Sequence, residues 1–137
     1  FETLPVGRGR RLREGADVAL LTVGTVGNAA ARAAGRAAAE GVSVAHYDLR
    51  FVKPLDEALL DEVGRKFRRV VTVEDGSLRG GVGEAVAAFF NARGLDVSVR
   101  SLGIGDEWVE HGTPGQLYAL CGYDEEGILR ALLDTRA

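Results

Sequence analysis

The chain has 137 residues, 46% of them hydrophobic and 27% charged, and carries a formal net charge of −3 at pH 7. That length suits one domain with a single well-buried core, and the mildly acidic balance leaves no footprint for nucleic acid or a membrane surface. No run approaches the ~20 apolar residues of a membrane span, no signal-peptide layout is present, and a single cysteine, Cys121, excludes an internal disulfide.

The cytoplasm is the default location on these grounds. The chain starts at Phe1 and contains no methionine, so residues 1–137 are expected to be one domain of a larger polypeptide.

Taken in order, the first element is a short polar segment from Gly7 to Arg13, closed by Glu14-Gly15. Its arginines, Arg8, Arg10, Arg11 and Arg13, suit an exposed edge strand that charge protects from unwanted pairing; an anion-binding arm is the alternative. The near-continuous apolar run from Asp17 to Gly24 has strand length and reads as a strand covered on both faces. Alanine-rich Thr25 to Glu40 predicts a helix with Gly41 as its stop. Val42 to Leu49 is the next strand.

Asp56 opens a second helix with Ala58, Leu59, Leu60 and Val63 on one face. Arg69 to Glu74 is a third buried strand, followed by a glycine-rich turn and a helix from about Gly83 to Arg93. Leu95 to Leu102 is a fourth strand. Thr113-Pro114 begins a short helix, with threonine as N-cap and proline at the first position. Asp124 begins the last helix, with Ile128, Leu129, Leu132 and Leu133 facing inward. Strands alternating with helices imply an α/β domain with a mostly parallel sheet covered on both sides.

Few residues carry chemistry. The segment Glu74-Asp75-Gly76-Ser77-Leu78-Arg79-Gly80-Gly81-Val82-Gly83-Glu84 lies between a strand and a helix, where glycines let backbone amides face an anion. It matches neither G-x-G-x-x-G nor the lysine-bearing P-loop, and its acidic residues would repel phosphate. Gly80, Gly81 and Gly83 are therefore read either as anion contacts or as places of close packing against the sheet or another chain.

Glu74 and Asp75, adjacent at a strand end, point to opposite faces and make a poor acid pair. His46 lies inside a strand and lacks metal-ligand spacing to His111. His111, in a loop beside Trp108, is a candidate contact to a partner or ligand. Two histidines and one cysteine so widely spaced do not form a zinc site, and Cys121 has no catalytic partner near it in sequence. Arg50 and Lys53, in Asp48-Leu49-Arg50-Phe51-Val52-Lys53-Pro54-Leu55-Asp56, place two cations at the carboxyl end of a strand, where open α/β sheets keep functional loops. With no nucleophile, base or metal set beside them, they read as contacts to a neighbouring domain or subunit.

That hinge resembles the C-terminal domain of the thiamine diphosphate enzymes of the transketolase superfamily, and within it the 1-deoxy-D-xylulose 5-phosphate synthases. The likeness continues through Leu4-Pro5-Val6-Gly7-Arg8-Gly9, Val71-Thr72-Val73-Glu74-Asp75-Gly76, Gly80-Gly81-Val82-Gly83, the stretch Leu102 to Gly112, and Gly122 to Ile128. The chain departs from the pattern at Gly105, where a proline is usual, and at Trp108, where phenylalanine is usual. The glycine turn with Glu84-Ala85-Val86 also resembles the beta subunits of 2-oxo-acid dehydrogenases, which dock an acyltransferase.

The resemblance implies a three-layer αβα sandwich whose five-stranded sheet is parallel except for an antiparallel edge strand. It implies a parent transferase that uses thiamine diphosphate and Mg²⁺, decarboxylates pyruvate and joins the two-carbon unit to glyceraldehyde 3-phosphate. In such enzymes the cofactor and metal are held by the preceding domains, so no catalytic, cofactor or metal residue is expected here. The implied partners are those domains and the second subunit of a homodimer. A ligand-sensing module, with Gly80 to Gly83 and the arginine arm receiving an anion, is the remaining alternative.

Overall fold

The segments Val18–Val23 and Val44–Asp48 bury nearly every side chain, which requires cover on both faces. The computed structural model describes residues 8–50, 55–77, 81–104 and 124–134. Its strands are β1 (Arg10–Arg13), β2 (Val18–Val23), β3 (Val44–Asp48), β4 (Arg69–Ser77) and β5 (Ser98–Ile104). Its helices are α1 (Gly27–Ala39), α2 (Glu57–Lys66), α3 (Val82–Ala92) and α4 (Glu125–Leu133), with a 3₁₀ turn, Gly24–Val26, leading into α1. The short helix expected at Thr113-Pro114, together with Lys53, Gly80, His111 and Cys121, lies outside the described residues.

The sheet order is β1-β3-β2-β4-β5. β1 runs antiparallel to β3, and the other three pairings are parallel. This is the mostly parallel, five-stranded sheet that was expected. Alternation along the strands feeds two cores. Val18, Leu20, Val44, Val71 and Val73 pack with α1 and α4, and Ala19, Leu21, Ala45, Tyr47 and Val70 pack with α2 and α3.

Local chemistry sets most element ends. α1 stops in a Schellman motif: Val42 N–H reaches Ala37 O at 3.0 Å and Gly41 N–H reaches Ala38 O at 3.1 Å, with Gly41 at φ +89°. Gly94, at φ +68°, closes α3 in the same way. Asp124 caps α4, its carboxylate accepting from Gly127 N–H at 2.9 Å.

Some boundaries differ from expectation. The predicted helix from Thr25 opens as a 3₁₀ turn because Gly24 adopts φ +85°. Ala58 is exposed, whereas Leu60 and Val63 form the buried stripe of α2. β4 runs on to Ser77, with a register irregularity after Val73. β5 starts at Ser98 rather than Leu95, because the turn after Gly94 takes up Leu95 to Val97.

Candidate functional site

The parallel strands all end at one rim of the sheet, and the sequence-predicted contacts that are described lie there. At the end of β3, Leu49 N–H still bonds to Thr22 O at 3.0 Å. Arg50, which follows, adopts φ +59°. The Asp48 carboxylate accepts the Arg50 N–H at 3.0 Å. A left-handed backbone costs a residue with a Cβ roughly 1–2 kcal/mol, so Arg50 carries strain that glycine would avoid.

Asp56 then organises the next element. One carboxylate oxygen caps α2 through Leu59 N–H at 3.1 Å, and the other accepts Gly9 N–H at 2.9 Å. A buried carboxylate thus ties the start of α2 to the approach to β1, and both lone-pair sets have donors. Beside this tie a cleft of about 340 Å³ opens between β1 and α2, lined by Arg8, Arg11, Tyr47, Asp56 and Glu62 among others.

Across β2, the end of β4 meets α3. Both oxygens of the Glu74 carboxylate lie 3.0 Å from Val82 N. The protein's own anion therefore sits on the helix terminus that the glycine turn opens, where negative charge is favoured. Gly81 is the N-cap of α3, and Gly83 lies in its first turn, buried. A Cβ on Gly83 would stand 2.0 Å from Ser101 Oγ and 2.9 Å from Thr72 Oγ1, so this glycine permits contact between helix and sheet. Glu74 thus occupies the Val82 amide, one of the donors the anion-sensing alternative would use.

Arg50 and the Gly81–Gly83 turn share the rim but not a site. β3 and β4 both pair with β2, which sets them about 10 Å apart at two strand spacings. His46 lies inward of the rim, 1% exposed, with Nε2 2.9 Å from Thr22 Oγ1. Burial, aided by Arg13 and opposed by Asp48, lowers its pKa to about 4, so it is a neutral sheet residue at pH 7. Among the described residues no three His, Cys, Asp or Glu side chains gather to hold a metal, and no helix is long and apolar enough to cross a membrane.

Sequence reasoning missed two links. Glu74 is legible in sequence as an acid that would repel phosphate, but not as the acceptor of the Val82 N–H at the start of α3; an acid just before a glycine turn that opens a helix is the available signal. The Gly9–Asp56 bond spans 47 positions, and no local pattern announces it.

Known proteins match this arrangement. A family profile described as "Transketolase, C-terminal domain" matches residues 7–128. The chain is 54% identical over 137 residues to the 1-deoxy-D-xylulose-5-phosphate synthase of Bacteroides fragilis, covering 99% of this chain and 21% of that protein. It is 51% identical over 134 residues to the enzyme of the same name from Bacteroides thetaiotaomicron, covering 97% and 21%, and 44% identical over 127 residues to that of Syntrophotalea carbinolica, covering 93% and 20%. The chain thus spans about a fifth of the length of these relatives. A solved structure titled "Split gene transketolase, inactive beta4 tetramer" superposes with a TM-score of 0.87 at 33% identity, over 94% of this chain and 42% of that one. With this profile match running through all five strands, on a sheet of the same architecture, the chain belongs to the family of transketolase C-terminal domains.

Proposed function

We propose that this chain is the C-terminal domain of a 1-deoxy-D-xylulose 5-phosphate synthase. Its task is to pack against the preceding domains and a second subunit, completing the assembly around an active site held elsewhere. The parent enzyme would decarboxylate pyruvate and transfer the two-carbon unit to glyceraldehyde 3-phosphate, in the cytoplasm, as a homodimer. The observation that carries this reading is 54% identity to a synthase across the whole chain. Arg50, Lys53, Gly80, Gly81 and His111 are proposed as surface contacts within that assembly rather than as catalytic groups, whereas Gly83, expected as such a contact, is buried and serves packing of α3 on the sheet.

When bound in such a parent, thiamine diphosphate with Mg²⁺ supplies the carbanion chemistry. The start of α3 does not suit the diphosphate of that cofactor. The α3 terminus already holds the Glu74 carboxylate, which would oppose a diphosphate. No step of the reaction is therefore assigned to this domain.

Two measurements test the reading. Titration calorimetry of the isolated 137-residue domain with thiamine diphosphate and Mg²⁺ should show no saturable heat; tight binding would overturn the accessory role. Product analysis of the intact parent enzyme with pyruvate and glyceraldehyde 3-phosphate should yield 1-deoxy-D-xylulose 5-phosphate. Transfer of an acyl group to a lipoyl-bearing acyltransferase instead would identify a 2-oxo-acid dehydrogenase beta subunit.

A further inference from the structure

β1 stands at the sheet edge beside β3, and its four residues are all exposed. Its two ends are held in different ways. The exit is pinned to the turn that leads into β3. Ala16 N–H donates to Ser43 Oγ at 3.0 Å, Asp17 N–H to Ser43 O at 2.8 Å, and Ser43 N–H to the Asp17 carboxylate at 2.7 Å. Gly15 lies flat on the same stretch, where a Cβ would collide with the backbone of Val44 and Ala45. None of these bonds reaches a helix.

The entry is held by a helix cap. Gly9 precedes the first ladder pair, Arg10 opposite Asp48, and its N–H donates to Asp56 Oδ2 at 2.9 Å. Asp56 Oδ1 accepts the Leu59 N–H at 3.1 Å, one of the donors that a helix cannot satisfy within itself. Asp56 is only 8% exposed. Gly9 approaches this closely because it lacks a side chain: a Cβ there would stand 2.8 Å from Asp48 O and 3.0 Å from Leu59 Cδ1.

One carboxylate therefore serves two segments that share no other bond in this set. If the entry lifts away, a buried acceptor is left unpaired, and the cost is relieved by turning the carboxylate out to water. That movement strips the cap from Leu59. If the first turn of α2 frays instead, Gly9 loses its fixed acceptor. Each contact is stronger while the other is made, and segments linked in this way open as one cooperative unit. We propose that Asp56 is a latch through which the entry of β1 and the first turn of α2, 47 positions apart, open and close together, while the exit of β1 at Ser43 stays closed. The strand then peels from Gly9 inward.

Hydrogen exchange of the intact parent enzyme, resolved to single amides by fragmentation in the mass spectrometer, tests the latch. In the natural enzyme under rising sub-denaturing urea, the Gly9 and Leu59 amides should show one opening free energy and one urea dependence, and the Asp17 amide should open separately and less often. Different urea dependences for Gly9 and Leu59 would overturn the proposal. Gly9→Ala drives a methyl group against Asp48 O and should speed exchange severalfold at the β1 amides and at Leu59 alike, leaving Asp17 unchanged. Faster exchange in β1 with Leu59 at its natural rate would also overturn it. Asp56→Asn uncouples the two contacts, since asparagine caps a helix as well as aspartate does but has one acceptor oxygen in place of two. One of the two amides should then exchange severalfold faster while the other holds; natural rates at both would show that the carboxylate is no latch. If neither variant accumulates, the urea series on the natural enzyme decides.

Discussion

At the residue scale, single side chains set how stability responds to pH and to backbone strain. His46 is buried and neutral, with a pKa of about 4 set first by desolvation. Its unfolded value is near 6.5, so on acidification the unfolded chain binds this proton first. The stability His46 contributes is therefore complete above pH 6.5 and is lost as pH falls towards 4, by about 3 kcal/mol in all. Urea unfolding of the domain from pH 7 to 4.5 should show this slope, and His46→Gln should flatten it. Glu125 and Asp61 are held below the usual carboxylate range by hydrogen bonds from Arg32 and Arg65, so their contributions fall away only at lower pH. Arg50 gives the opposite kind of test. Its φ of +59° suits glycine better, and Arg50→Gly should stabilise the isolated domain by about 0.5–1 kcal/mol, the left-handed strain less the extra entropy of glycine. A loss of stability would show that its guanidinium holds the fold.

At the element scale, α3 depends on a carboxylate from the preceding strand. Glu74→Ala removes the acceptor of the Val82 N–H and the negative charge at the helix terminus, and should cost about 1 kcal/mol in chemical denaturation. A neutral result would mean that water replaces the cap at no cost. The helices themselves were legible from sequence: alanine content marked α1, Asp56 and Asp124 marked two N-caps, and Gly41 marked a stop. Their partners were not. Arg69, read only as the start of a strand, donates from Nη2 to the carbonyls of Leu132 and Asp134 at 2.9 and 2.6 Å, closing the C-terminus of α4 across more than sixty positions. Propensity and capping act within a turn or two of chain, so they report elements and not what those elements touch.

At the scale of the whole domain, the sheet separates two cores, with α1 and α4 on one side and α2 and α3 on the other. Ile128→Val on the first side should cost about 1 kcal/mol and Leu60→Ala on the second about 3 kcal/mol. Measured in one domain by urea unfolding, the two losses should add to within about 0.5 kcal/mol, since distant sites without shared partners are independent. A larger discrepancy would show that the strands transmit strain between the layers. The residues alone determined the alternation of strands and helices, and with it a sheet buried on both faces, because hydrophobic periodicity is a local property of the chain. They also carried the family likeness, through the hinge from Asp48 to Asp56. Tertiary structure alone decided which candidate residues meet. It set Arg50 apart from the Gly81–Gly83 turn by inserting β2 between them, turned Glu74 from a neighbour of the glycines into their anion, and used the pairing of β1 with β3 to bring Gly9 to Asp56. Each of these rests on strand order or register, which are set by contacts between segments far apart in the chain.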